Sequence, residues 1–77
     1  MAEIFYVGVD LGGTNIKAGV LDADARVLCS LSVPTEVGKG RDAVVANIIG
    51  AAEQAIGKSG VNRVKVAGIG IGSPGPL

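Results

Sequence analysis

The chain has 77 residues, of which 48% are hydrophobic and 18% charged, with 13 glycines and two aromatic residues, one Tyr and one Phe. Seven basic and seven acidic side chains cancel to a net charge of zero, so no long-range field draws in nucleic acid or an anionic membrane. A single cysteine, Cys29, and the lack of any histidine exclude a disulfide framework and leave little for a zinc site.

A chain of this size buries only about 60% of its unfolded surface, so its core is marginal. The apolar content is nonetheless that of a deep interior, and it predicts that neighbouring structure completes the fold. No apolar run approaches the roughly 20 residues of a membrane helix. The first residues show no charged segment followed by a long apolar stretch and a cleavage site. The expectation is a soluble protein of a reducing cytoplasm, with no membrane partner.

Ile4 to Val9 is a continuous apolar run and predicts a central strand buried on both faces. Gly12-Gly13 interrupts it, and Asn15 to Leu21 resumes as a second strand, which reads as a hairpin whose glycines take positive φ. Asp22-Ala23-Asp24 supplies another turn. Arg26 to Val33 is a third strand, with Val27, Cys29, Leu31 and Val33 alternating against Arg26, Leu28, Ser30 and Ser32. Cys29 therefore reads as core packing and not as a nucleophile.

Pro34 to Gly40 is a loop, and Asp42 is the expected N-cap of the helix that follows. Val44, Val45, Ile48, Ile49, Ala52, Ala55 and Ile56 recur at helical spacing as one apolar stripe, and Gly57 and Gly60 bracket the helix end. Val64 to Ile71 forms the last strand, with Lys65 near its start or an edge, and Gly72-Ser73-Pro74-Gly75-Pro76 ends it. The order is β-β-β-α-β. Strands 1–3 should be antiparallel and strand 4 should return parallel to strand 1.

The informative site is Asp10-Leu11-Gly12-Gly13-Thr14-Asn15. Glycines let the backbone approach a polyphosphate closely and leave amide hydrogens free to donate. Thr14 adds a hydroxyl, Lys17 can offset phosphate charge, and Asp10 is placed to hold Mg²⁺ directly or through water. The plain alternative is a Gly-Gly hairpin with an incidental Asp. Two rival motifs fail. Gly57-Lys58-Ser59 looks like the end of a P-loop, but Ala52 stands where the earlier glycine is required, and a helix end is the wrong context. Gly70-Ile71-Gly72-Ser73-Pro74-Gly75 matches G-x-G-x-x-G, but Pro74 removes an amide and Pro76 opposes a following helix. Glu36 and Asp42 read as a solvated loop face.

Asp10-Leu11-Gly12-Gly13-Thr14-Asn15-Ile16-Lys17, with Gly19 and Asp22, resembles the first phosphate motif of the ROK family of bacterial sugar kinases and repressors. More distantly it is similar to the hexokinase, Hsp70 and actin superfamily. Gly68 to Pro76 resembles the sugar-side loop of the same family, and two motifs in order are more specific than either alone. The resemblance implies a ribonuclease-H-like α/β start, and residues 1–77 would form part of an N-terminal nucleotide-binding lobe of a larger two-lobe protein. It implies ATP and Mg²⁺ as cofactors, with Gly12, Gly13, Thr14 and Asn15 on the phosphates, Asp10 beside the metal and Lys17 at a basic position. Ser73, Pro74 and Gly75 would border the pocket for a hexose. The family's catalytic Asp, its sugar-binding Glu and His, and its zinc loop match no residue here, so no catalytic residue is assigned. Phosphoryl transfer to a sugar is expected of the full-length protein, with a homo-oligomer left open, while the segment alone should be inactive. The alternatives are a sugar-responsive repressor of the family, disfavoured because strand one uses all nine residues before Asp10, and an Hsp70- or actin-like ATPase.

Overall fold

The computed structural model describes residues 3–72. Four strands form one mixed sheet in the order β3-β2-β1-β4. They are β1 (Phe5–Leu11), β2 (Asn15–Asp22), β3 (Val27–Pro34) and β4 (Val66–Gly72), and one long helix, α1 (Arg41–Ser59), lies between β3 and β4 in sequence. β1 pairs antiparallel with β2 and parallel with β4, and β2 pairs antiparallel with β3. The α/β class and the β-β-β-α-β order with strand 4 parallel to strand 1 are as the sequence predicts.

Period-two alternation decides which side of each strand is buried. Phe5, Val7 and Val9 of β1 and Ile16, Ala18 and Val20 of β2 point to one face and form the core with Ala51, Ala52, Ala55 and Ile56 of α1. Alanines at the contact let the helix approach the sheet closely, and Cys29, Leu31 and Val33 pack at the margin of this core. The Cys29 thiol donates to the Ala55 carbonyl oxygen at 3.2 Å, which ties β3 to the helix. Filling this core is the dominant stabilising term, at about 1.5–3 kcal/mol for each fully buried large aliphatic side chain.

Burial of β1 on both faces is not what the fold provides. Tyr6 and Asp10 of the same strand are exposed, because the described residues supply one α-helix and that helix covers one face. α1 packs over β2, β3 and β1 and leaves β4 largely uncovered. Ile69 and Ile71 therefore remain 55% and 59% exposed, although they sit beside Val7 and Val9 on the helix side.

Three local expectations also change. The helix starts at Arg41 with Gly40 as its N-cap at φ 95°, and Asp42 lies in the first turn with no capping bond. The chain leaves the short 3₁₀ turn Val37–Lys39 through that left-handed residue, a conformation glycine adopts without a Cβ penalty. The apolar stripe is narrower than its periodicity predicts: Ala51 is buried, while Val45 and Ile49 lie on the shoulder at 46% and 59% exposure. The last strand begins at Val66, since Arg63–Lys65 form a 3₁₀ turn capped by Asn62, whose side chain accepts from the Val64 amide. Gly60 closes α1 at φ 76°, as its position predicts. Gly57-Lys58-Ser59 is helical, and Lys58 Nζ donates to the Ser30 carbonyl, so the P-loop look-alike is a helix end.

Candidate functional site

The Asp10–Asn15 segment is the tight link between β1 and β2. Gly12 N–H donates to the Asn15 carbonyl at 3.0 Å, which folds the turn back on itself. A Cβ on Gly12 would sit 2.8 Å from that same carbonyl oxygen, closer than two such atoms can approach. Gly12 is thus required by close backbone approach. The expected positive φ is found at neither Gly12 nor Gly13, because the turn closes through a backbone contact and not through a primed geometry. A Cβ on Gly13 would meet open space.

Among the described residues, the amide hydrogens of Gly13 and Thr14 find no protein acceptor, and the Thr14 hydroxyl has no protein partner. Gly13, Thr14, Asn15 and Lys17 are exposed. Asp10 stands opposite Lys17 in the β1–β2 ladder and beside Gly72 in the β1–β4 ladder. Alternation puts Asp10, Asn15 and Lys17 on the helix-free face of the sheet, next to a row formed by Gly19, Gly8 and Gly70 on three adjacent strands. The structure therefore gathers Asp10, Gly12, Gly13, Thr14, Asn15 and Lys17 at one end of the sheet. Ser73, Pro74 and Gly75, expected at the sugar side, lie outside the described residues, although Gly72 brings the chain to the same sheet end.

Thr35 is the feature the sequence does not mark. It is 2% exposed; its Oγ1 donates to the Gly12 carbonyl at 2.8 Å, and its backbone N–H donates to the Thr14 carbonyl at 3.0 Å. Asn47 of α1 in turn donates from Nδ2 to the carbonyls of Pro34 and Thr35 and to Glu36 Oε1. Nothing local in the sequence identifies this brace, since Thr35 and Gly12 are 23 positions apart. Glu36 also pairs with Lys39 at 2.7 Å. Hydrogen bonding from Lys39, then from Asn47, together with the Lys39 charge, holds the Glu36 carboxyl below its ordinary value, while the hydrogen bond to Glu36 and its negative charge hold Lys39 above its own. Glu36, read as a solvated loop residue, thus also holds the β3–α1 connection in shape.

Beside the turn, on the helix side, Leu11, Gly12, Gly13, Thr35, Val37 and Val44 help to line an open apolar cavity of about 690 Å³. Among the described residues, no three His, Cys, Asp or Glu side chains come together. The donor set does not fit an all-protein metal cage. It fits Mg²⁺, which usually takes one or two carboxylates and completes its shell with waters and substrate phosphates.

The hydantoinase/oxoprolinase N-terminal region, as a family, matches residues 6–74. A glucokinase of Halalkalibacterium halodurans is 32% identical over 75 residues, which is 97% of this chain and 23% of that protein. Among solved structures, a ROK hexokinase from Thermus thermophilus superposes with a TM-score of 0.81 at 43% identity, over 96% of this chain and 24% of its own. A ROK family glucokinase from Streptomyces griseus, in complex with glucose and AMPPNP, does so with a TM-score of 0.76 at 35% identity, over 92% of this chain and 20% of its own. The chain thus spans a quarter or less of the length of these relatives.

Proposed function

The chain belongs to the hydantoinase/oxoprolinase N-terminal region family and matches the N-terminal segment of ROK sugar kinases, and on that premise we propose that the full-length protein transfers the γ-phosphoryl group of ATP to a hexose or hexose derivative. Residues 1–77 form the opening part of its nucleotide-binding lobe. The observation that carries this reading is the pair of amides at Gly13 and Thr14 that find no acceptor among the described residues, beside the exposed carboxylate of Asp10. Backbone donors held without side chains in the way cradle phosphate oxygens, and a carboxylate at the end of a strand holds the cation that accompanies them.

In this reading Gly12, Gly13, Thr14 and Asn15 line the phosphates, and Asp10 holds Mg²⁺ directly or through water. Lys17 sets a positive charge against the polyphosphate from the neighbouring strand. Ser73, Pro74 and Gly75 border the sugar. Bound Mg²⁺ would neutralise charge on the transferring group; the chain's own residues bind and orient. Phosphoryl transfer relies on positioning and electrostatics more than on covalent chemistry from the protein, which suits a site made mainly of backbone donors. The base that accepts the sugar hydroxyl proton is assigned to a residue beyond Leu77, so the 77-residue segment alone is inactive. The protein works in the cytoplasm, free or as a homo-oligomer. The glucokinase in complex with glucose and AMPPNP supports both substrates.

A second reading follows from the family match over residues 6–74: the same phosphate turn serves a hydantoinase or oxoprolinase reaction. Release of ADP by the full-length protein, measured with a panel of hexoses and with hydantoin and oxoproline, separates the two. Hexose-dependent ADP release with formation of a sugar phosphate supports the kinase. Release driven only by hydantoin or oxoproline overturns it.

A further inference from the structure

We propose that Thr35 is a positioning residue that aims the backbone donors of the phosphate turn, an inference that rests on the phosphate reading of Gly12–Asn15. The planarity of the peptide group ties each carbonyl to the amide that follows it. Every peptide bond in the described chain is trans, so the carbonyl of one residue and the N–H of the next point in opposite directions within one rigid plane. The Thr35 hydroxyl holds the Gly12 carbonyl at 2.8 Å. It therefore fixes the plane that carries the Gly13 N–H, and turns that hydrogen away from Thr35.

The Thr35 backbone N–H holds the Thr14 carbonyl at 3.0 Å and fixes a second plane, the one that carries the Asn15 N–H. Gly12 N–H is itself spent on the Asn15 carbonyl. The carbonyls of Gly12, Thr14 and Asn15 are thus all engaged inside the protein, while the Gly13 amide, whose plane Thr35 holds, finds no acceptor among the described residues.

A Gly-Gly turn without such a brace would sample many orientations, because glycine carries the largest backbone freedom. Donors that must be ordered when the ligand arrives bind it less tightly than donors already aligned. Thr35 supplies that alignment from outside the turn. It is the one polar side chain among the described residues that is fully buried, so no water replaces its hydroxyl at low cost. Thr35 is in turn held by Asn47, whose Nδ2 donates to the Thr35 carbonyl at 3.1 Å. The brace therefore runs from the middle of α1 through the end of β3 to the phosphate turn.

The test uses the full-length protein with AMPPNP and Mg²⁺, read by calorimetry, together with KM and kcat for ATP and for the sugar. Thr35→Val keeps shape and removes the hydroxyl; Thr35→Ser restores the hydroxyl and drops only the methyl. Leaving a buried carbonyl without its donor typically weakens a coupled interaction by a factor of about 10 or more. We expect AMPPNP affinity to fall by about that factor in Thr35→Val and KM for ATP to rise with it. KM for the sugar should stay near the wild-type value, and Thr35→Ser should recover most of the nucleotide affinity. If Thr35→Val does not fold, Thr35→Ala against Thr35→Ser isolates the hydroxyl, since both lack the methyl. Wild-type affinity in Thr35→Val or Thr35→Ala, with AMPPNP still bound by the parent protein, overturns the positioning role and leaves the phosphate reading intact. Equal loss of nucleotide and sugar affinity without rescue by Ser also overturns it, and assigns Thr35 to general stability. No AMPPNP binding by the parent protein overturns the phosphate reading and this inference together.

Discussion

Asp10 and Lys17 are direct cross-strand partners in the β1–β2 ladder and project from the side of the sheet that α1 does not cover. A carboxylate and an ammonium thus flank the turn that joins their strands, and both stay solvated. Asp10→Asn keeps the shape and removes the charge that would hold Mg²⁺. In the full-length protein, sugar-dependent ADP release should fall by about 10²–10³-fold, the usual loss when a preorganised electrostatic contact is removed. Lys58→Ala, at the helix end of the P-loop look-alike, should change turnover by less than about twofold, as surface substitutions away from a site do. Circular dichroism checks that both variants fold. The reverse ranking of the two variants would move the phosphate site away from the turn.

Gly12 and Gly13 should respond differently to the same substitution. Gly12→Ala forces a Cβ within 2.8 Å of the Asn15 carbonyl, so the turn must open and its donors must shift. Nucleotide affinity should drop by about 10-fold or more, and the thermal midpoint should fall with a stability loss of about 1–3 kcal/mol, as for overpacking. A Cβ at Gly13 meets open space and no left-handed φ. Gly13→Ala should therefore leave stability within about 0.5 kcal/mol of the parent. Equal destabilisation by both would contradict the steric account of this turn.

The Glu36–Lys39–Asn47 cluster predicts a pH signature. The Glu36 carboxyl is held below its ordinary value of 4.5, so its contribution is present above that pH and is lost as pH falls through the lowered folded value. Lys39 is raised above its ordinary value of 10.5, so its share is present below that pH and is lost as pH rises through the raised one. Lys39 is exposed and Glu36 only half-buried, so the effect is small and screened by salt. The difference in thermal midpoint between parent and Glu36→Gln should be visible at neutral pH, shrink as salt is raised and fade as pH falls through the lowered Glu36 value. A difference that grew on acidification would have the wrong sign for this pairing.

β4 gives the 77-residue chain a liability when it is produced alone. It is an edge strand among the described residues, and Ile69 and Ile71 are more than half exposed on its helix side. Unpaired strand edges with apolar flanks recruit other chains. Sedimentation of the segment should show association that increases with concentration, and Ile71→Lys should reduce it. A monomer at all concentrations, with a cooperative melt at high temperature, would count against a missing neighbour at this edge.

The strand and helix order, the parallel return of β4 and the clustering of Asp10 to Lys17 at one turn were legible in the sequence. Each depends on period, on turn residues or on a short motif, all of which act over a few neighbouring positions. The sheet's exposed face was not legible, because the apolar run Ile4–Val9 does not say how many layers will cover it. Asp42 resembles a cap by composition, yet Gly40 takes the position because the preceding 3₁₀ turn delivers the chain in a left-handed conformation. The conformation of Gly12 and Gly13 was misread from composition: the turn excludes a side chain at Gly12 by contact with Asn15 and needs no positive φ. Sequence alone singled out Asp10 to Lys17 as one segment at a strand-to-strand turn. Only the tertiary structure brought Thr35 under that turn and Asn47 behind Thr35, since hydrogen bonds between positions far apart in the chain exist only once the sheet and the helix have packed.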